Sequence, residues 1–179
     1  REKKEEKISP LLPEFKISTH WQKHLWFQIY SGENEETDQA RSRGLLIHDL
    51  LGEIVNEEDI VPLVLNAVEK GLFRIDEIEY YNDLLYMVTS HEELKPYYKK
   101  GAIIFNEQNI LVPNASFVRP DRIIKSSEGW VIIDYKTGKY RPKHEDQLRQ
   151  YEEVLNHFDT KVFKKYLVYI DDEIEVKNI

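Results

Sequence analysis

Trp130-Val-Ile-Ile-Asp134-Tyr-Lys136-Thr-Gly138 decides the reading of this chain. Four β-favouring residues run into an acid, an aromatic, a base and a Thr-Gly turn, which predicts a buried strand ending in a tight connection. Strand side chains alternate between faces, so Asp134 and Lys136 share a face about 7 Å apart along the strand. Alone, the pair has two readings. It is a surface ion pair at a strand end, or a carboxylate able to bind a hard cation beside an ammonium able to hold a water or phosphate oxygen.

Working outward, Ala102 to Glu107 reads as a strand, Ile110 to Val112 as a short return and Ser116 to Lys125 as a second main strand. Hairpin turns are expected at Asn106 to Asn109 and Ser126 to Gly129. Lys143 to Phe158 reads as a helix, Lys164 to Ile170 as a further strand, and Asp171-Asp172 as a turn into Glu173 to Val176. Upstream the period is helical. Helices are expected at about Ser18 to Tyr30, Gln39 to Asn56, Glu58 to Lys70 and Arg74 to Thr89, with a joint at Gly71 and a Tyr-rich turn over His91 to Lys99. Arg1 to Lys7 is charged, and Pro10 and Pro13 follow, so residues 1–15 read as a linker or frayed lead-in. The expected fold is a mixed α/β domain over residues 16–179, helical to 100, with a sheet flanked by helices from 101.

The 179 residues are 41% hydrophobic and 12% aromatic, enough for one well-buried core. With 25 basic and 33 acidic residues, the net charge of −8 opposes non-specific attraction to nucleic acid, so a nucleic-acid enzyme here needs a local basic patch or a neighbour. Lys139, Arg141, Lys143 and Arg149 form such a segment just after the central strand; they read equally as DNA-backbone contacts and as a solvated helix entrance. The absence of Cys excludes disulfides, thiolate zinc and iron–sulfur clusters, so any metal takes O or N ligands. No Gly-x4-Gly-Lys-Ser/Thr loop is present, and an ATP motor would lie elsewhere. No apolar run of membrane length and no leader is seen, which predicts a cytoplasmic protein without a membrane partner. A chain beginning at Arg1 with its only Met at 87 reads as a domain of a longer protein.

Asp121, in Arg119-Pro-Asp-Arg-Ile, is thirteen residues before Asp134, and a turn near Ser126 to Gly129 sets both acids near one edge of adjacent strands. Converging carboxylates without a base between them suggest a divalent cation. Glu107 reads as a third acid or as a solvated turn residue. Gly44 and His48 share a helix face, the glycine leaving space beside the imidazole, which is either structural or a ligand. Gln147 and Tyr151 share a face of the later helix.

In this order, Gly44-x3-His48, Glu107, Pro-Asp121-Arg-Ile, Asp134-Tyr-Lys136-Thr-Gly and Gln147-x3-Tyr151 resemble the RecB-like nucleases of the PD-(D/E)XK superfamily over roughly residues 16–170. The closest likeness is to the C-terminal nuclease domain of AddA/RecB-type helicase–nucleases. The resemblance implies a restriction-endonuclease-like core and Mg²⁺-dependent, or Mn²⁺-dependent, DNA hydrolysis beside a helicase motor that processes double-strand ends. It implies His48, Asp121, Asp134 and the Tyr135 carbonyl as metal ligands, Lys136 as the catalytic lysine, and Glu107 as an auxiliary acid. Gln147 and Tyr151 resemble residues that orient the site or contact DNA. Arg119 departs from the Gly often found there, and the cluster-bearing branch is excluded by the missing Cys. A non-catalytic module that binds DNA or a helicase is the alternative.

Overall fold

The computed structural model describes residues 35–112, 116–158, 161–171 and 173–179. The lead-in to residue 15 and the helix expected over Ser18 to Tyr30 lie outside the described residues. Three helices come first: α1 (Glu35–Glu53), α2 (Ile60–Glu69) and α3 (Ile78–Ser90). Strands β1 (Ile103–Asn106), β2 (Ile110–Val112), β3 (Ser116–Val118), β4 (Arg122–Lys125) and β5 (Trp130–Thr137) follow. Helix α4 (Pro142–Asn156), β6 (Val162–Ile170) and β7 (Ile174–Asn178) complete the order.

Local chemistry sets the helix ends. The Asn56 side chain accepts from Glu58 N–H at 3.0 Å while Asp59 accepts from Asn56 N–H at 2.9 Å, a reciprocal cap that shapes Glu57–Asp59 into a short 3₁₀ turn before α2. At the other end Gly71 adopts φ +71°, and Leu72 N–H reaches back to Ala67 O at 3.0 Å. Only glycine enters that region without strain, so the joint falls there.

The main sheet runs β1-β4-β5-β6-β7; β5 and β6 are parallel and the other pairs antiparallel. The parallel pair requires a crossover, which α4 supplies. On β5 the side chains of Val131, Ile133 and Tyr135 pack with α1 to α3, and Ile132 packs with Leu148, Tyr151 and Val154 of α4. Both faces of the strand are therefore buried, as its continuous apolar run predicts. The fold is the mixed α/β sheet with helices on both faces, consistent with a restriction-endonuclease-like core.

Two expectations are corrected. Asn106 to Asn109 is not a hairpin turn: β1 pairs with β4, whereas β2 pairs with β3 in a separate two-stranded sheet. Glu107, at φ +47°, turns the chain out of the main sheet, and its N–H donates to Asp121 O at 3.0 Å. Nor is Ser116 to Lys125 one strand. It breaks after Val118, and Pro120, which has no N–H to continue a ladder, sits in the break. The Ser126 to Gly129 turn does form, with Ser126 N–H donating to Gly129 O at 2.9 Å.

Gly44 is required, though not for the expected reason. A Cβ on it would lie 2.5 Å from Thr137 Oγ1, so the space it leaves is filled by the end of β5 and not by the imidazole. Gly44→Ala gains about 1 kcal/mol of helix propensity but overpacks the contact by about 1–3 kcal/mol. Chemical denaturation should show a net loss, largely recovered in the Gly44→Ala/Thr137→Ala double variant; a Gly44→Ala chain more stable than wild type would exclude this close approach.

Candidate active site

The site lies where β4 begins and β5 ends. Asp121 occupies the bend before β4, and the Arg122–Ile133 register sets it opposite Asp134. Its Oδ2 accepts from Tyr135 N–H at 2.8 Å and lies 3.4 Å from His48 Nδ1. This acid is thus pinned to β5 by backbone and meets α1 through an imidazole. Asp134 and Lys136 share the α4 face of β5, as alternation predicts. Lys136 Nζ ion-pairs with Asp134 Oδ2 and donates to Gln147 Oε1 at 3.0 Å. Gln147 Nε2 donates to the Tyr151 hydroxyl, which donates to Arg119 O at 3.2 Å. A hydrogen-bonded line therefore runs from the Lys136 ammonium across α4 to the bend that carries Asp121.

Tyr151 remains a neutral phenol. Burial, then the charges of Asp134 and Asp121, raise its pKa well above the ordinary value. The Tyr135 side chain is buried, bonded to the Tyr98 hydroxyl and edge-on to the His48 ring at 6.1 Å, while its backbone N–H meets Asp121. Glu107 stands at the β1 end, 3.8 Å from Arg119 Nη1. Of the basic segment, Lys139, Arg141 and Lys143 are exposed, whereas Arg149 pairs with Glu145 at 3.2 Å and Asp146 at 3.3 Å. Burial first, then the charges of Lys136, Lys143 and Arg141, lower the pKa of His144 in this segment.

Arg122 carries no sequence signal beyond a base at the start of an apolar run. It is fully buried, with Nη1 donating to Ile54 O at 2.7 Å and Nη2 to Tyr97 O at 3.2 Å, and its guanidinium lies 4.2 Å from the Tyr98 ring centroid. The Ile54 carbonyl follows the C-terminus of α1, whose dipole favours a cation, and the Tyr98 ring adds a cation–π contact. The contact fixes α1, and with it His48, relative to Asp121.

The donor set is two carboxylates, an imidazole and a backbone carbonyl, all O or N, which suits a divalent cation. Asp134 is 1% exposed, its Oδ1 has no hydrogen-bond partner, and its Oδ2 meets Lys136 as an ion pair without a directed hydrogen bond. A buried carboxylate oxygen in that state costs free energy that a cation would offset. Among the described residues no three His, Asp or Glu side chains are already gathered into a cage. The fit is one of donor chemistry, with Lys136 standing beside the buried carboxylate.

Burial, then repulsion from Asp121, push the Asp134 pKa from 3.8 up to about 7, against the opposing pull of Lys136 and His48. For His48 burial is the largest influence and lowers the pKa, but the hydrogen bond and charge of Asp121 together with Asp134 leave it raised. A carboxyl raised on folding stabilises the native state below its unfolded pKa, and that stability is lost as pH rises through the folded value. In EDTA, Asp134→Asn should therefore melt about 5 °C or more above wild type at about pH 8, with the gap closing towards about pH 4. A pH-independent difference between the two melting curves would rule out the raised pKa.

A family model of the PD-(D/E)XK nuclease superfamily matches residues 21–173. No curated protein matches the chain. The solved structure described as "Crystal structure of SSO0001" is 20% identical, covers 76% of this chain and 78% of its own, and superposes with a TM-score of 0.34, a likeness that carries no argument. The family match spans most of the chain and takes in every residue from His48 to Tyr151 that meets around β5: the protein belongs to the PD-(D/E)XK nuclease superfamily.

Proposed function

We propose that this chain hydrolyses DNA phosphodiester bonds with Mg²⁺, or Mn²⁺ in its place, as the nuclease part of a cytoplasmic helicase–nuclease that processes double-strand ends. One observation carries the reading. A buried carboxylate with an unsatisfied oxygen, Asp134, lies beside the Lys136 ammonium and opposite a second acid, Asp121, held in place by Tyr135 N–H. His48, Asp121, Asp134 and the Tyr135 carbonyl would hold the cation. When bound it would supply a Lewis acid that polarises the phosphate and acidifies water.

The chain's own residues supply the remainder. Lys136, released from Asp134 but still held by Gln147, is placed to orient the attacking water and to stabilise charge developing on the phosphate. Tyr151 fixes Gln147 and ties it to the Arg119 carbonyl. Glu107 holds Arg119 near the substrate side as an auxiliary acid. Lys139, Arg141, Lys143 and Arg149 contact the DNA backbone, with Arg149 exchanging its exposed Glu145 and Asp146 partners for phosphate, since such surface pairs are worth about 0–1 kcal/mol. The net charge of −8 supports dependence on a neighbouring motor for DNA capture.

A non-catalytic DNA-binding or helicase-binding module is the second reading, favoured by the absence of a ready three-ligand cage among the described residues. Cleavage of linear and circular, single- and double-stranded DNA with Mg²⁺, Mn²⁺ or EDTA separates the two. Metal-dependent products are expected; their absence on every substrate would leave the binding module. Lys136→Ala should lower turnover on the order of a hundredfold or more while Mn²⁺ still raises the melting temperature, because Asp134 is freed and not lost. Near-normal turnover in that variant would remove Lys136 from the chemistry.

A further inference from the structure

An open cleft of about 470 Å³ lies beside the site, and of its lining residues only Lys139 enters the reading above. Its wall is Tyr140 and Tyr169, with ring centroids 6.2 Å apart; its floor is acidic, from Asp171, Glu173 and Glu175; Lys139 stands at its rim. Tyr169 is the β6 residue in register with Lys136. Both point to the α4 face, Tyr169 packing with the cluster of Leu148 and Tyr151 while Lys136 bonds to Gln147. The backbone that carries Tyr169 therefore runs one strand spacing, about 4.8 Å, from the backbone that carries Lys136.

The geometry points to a subsite for one unpaired nucleobase of the DNA strand being cut, and to a preference there for a base with an exocyclic amino edge. It rests on the reading of this chain as a DNA hydrolase only in placing a phosphate at Lys136. Tyr140 is 43% exposed and its ring lies against Tyr169, so it offers an aromatic face that does not depend on the hydroxyl bond to Glu145 at 2.7 Å. Bases stack on such faces whatever their identity. Lys177, paired with Glu175 at 3.2 Å, now lies 4.7 Å from the Tyr140 ring centroid, the place an incoming base takes.

The floor sets the preference. Ionised carboxylates only accept hydrogen bonds, so they match the two-donor amino groups of cytosine or adenine better than thymine, whose one edge donor, N3–H, lies between the carbonyl acceptors O4 and O2. In duplex DNA each base is stacked between its neighbours, so no base face is free to stack on Tyr140. The cleft thus selects strands already separated.

Binding of equal-length oligodeoxycytidylate and oligothymidylate by fluorescence anisotropy in EDTA, at a pH that leaves cytosine unprotonated, tests this without requiring cleavage. Cytosine should be preferred about fivefold or more, Tyr140→Ala should weaken that binding on the order of tenfold, and Tyr140→Phe should not. Glu173→Gln should shrink the cytosine-to-thymine ratio whatever it does to overall affinity. Equal affinity for the two oligomers, an unweakened Tyr140→Ala, or an equal loss in Tyr140→Phe would overturn the subsite. Should Tyr140→Ala not fold, the ratio in Glu173→Gln decides alone. A chain that binds with this preference yet cuts nothing would sink the hydrolase reading and leave the cleft standing; cutting without the preference would do the reverse.

Discussion

A single buried cation holds the two halves of this fold in register. Among the described residues no carboxylate pairs with Arg122; its charge is met by the Ile54 and Tyr97 carbonyls and the Tyr98 ring, while Nε has no hydrogen-bond partner. Removing a charge from water costs several kcal/mol unless such groups compensate it, so the guanidinium tolerates one arrangement of the α1 end against β4. Its chain neighbour, Asp121, inherits that precision. Strand alternation sends the two side chains opposite ways, one into the core and one into the site. Helix, strand and acid are thus positioned by one contact that takes no part in the chemistry.

The electrostatics of the site follow from burial. Asp134 is enclosed by β-strand neighbours and α4, and burial together with repulsion from Asp121 outweighs the nearby ammonium. The protein folds around a carboxylate whose charged form it disfavours, and Lys136 and His48 only moderate that cost. Strain of this kind is characteristic of places where a ligand is meant to bind, because the ligand recovers it.

What the sequence reveals is what depends on period. The shared face of Asp134 and Lys136 follows from strand alternation, and the Gln147–Tyr151 contact from helical spacing; both contacts form. What it conceals depends on partners far along the chain. Arg122 looks like a strand-end charge, because the Ile54 carbonyl that explains it is 68 residues away. The misassigned hairpin at Asn106 to Asn109 has a different cause. Pro120 marks the break, but local pattern does not tell whether β1 will pair with the next strand or wait for β4. Gly44 reads in the sequence as leaving space beside the His48 imidazole, whereas Thr137 fills that space, a contact decided by how α1 crosses β5.

The excursion between β1 and β4 has an evolutionary consequence. Its two ends are fastened at the base by the bond from Glu107 N–H to the Asp121 carbonyl, and the main sheet closes without β2 or β3. The free energy of closing such a loop grows only with the logarithm of its length. Changes of length between β2 and β3 leave the β1–β4 register nearly untouched, provided that Val118, buried against the α4 cluster, and Arg119, whose carbonyl holds Tyr151, keep their places. Substrate choice in this architecture can drift independently of foldability: the lineage can exchange one recognition element for another without passing through unfolded ancestors.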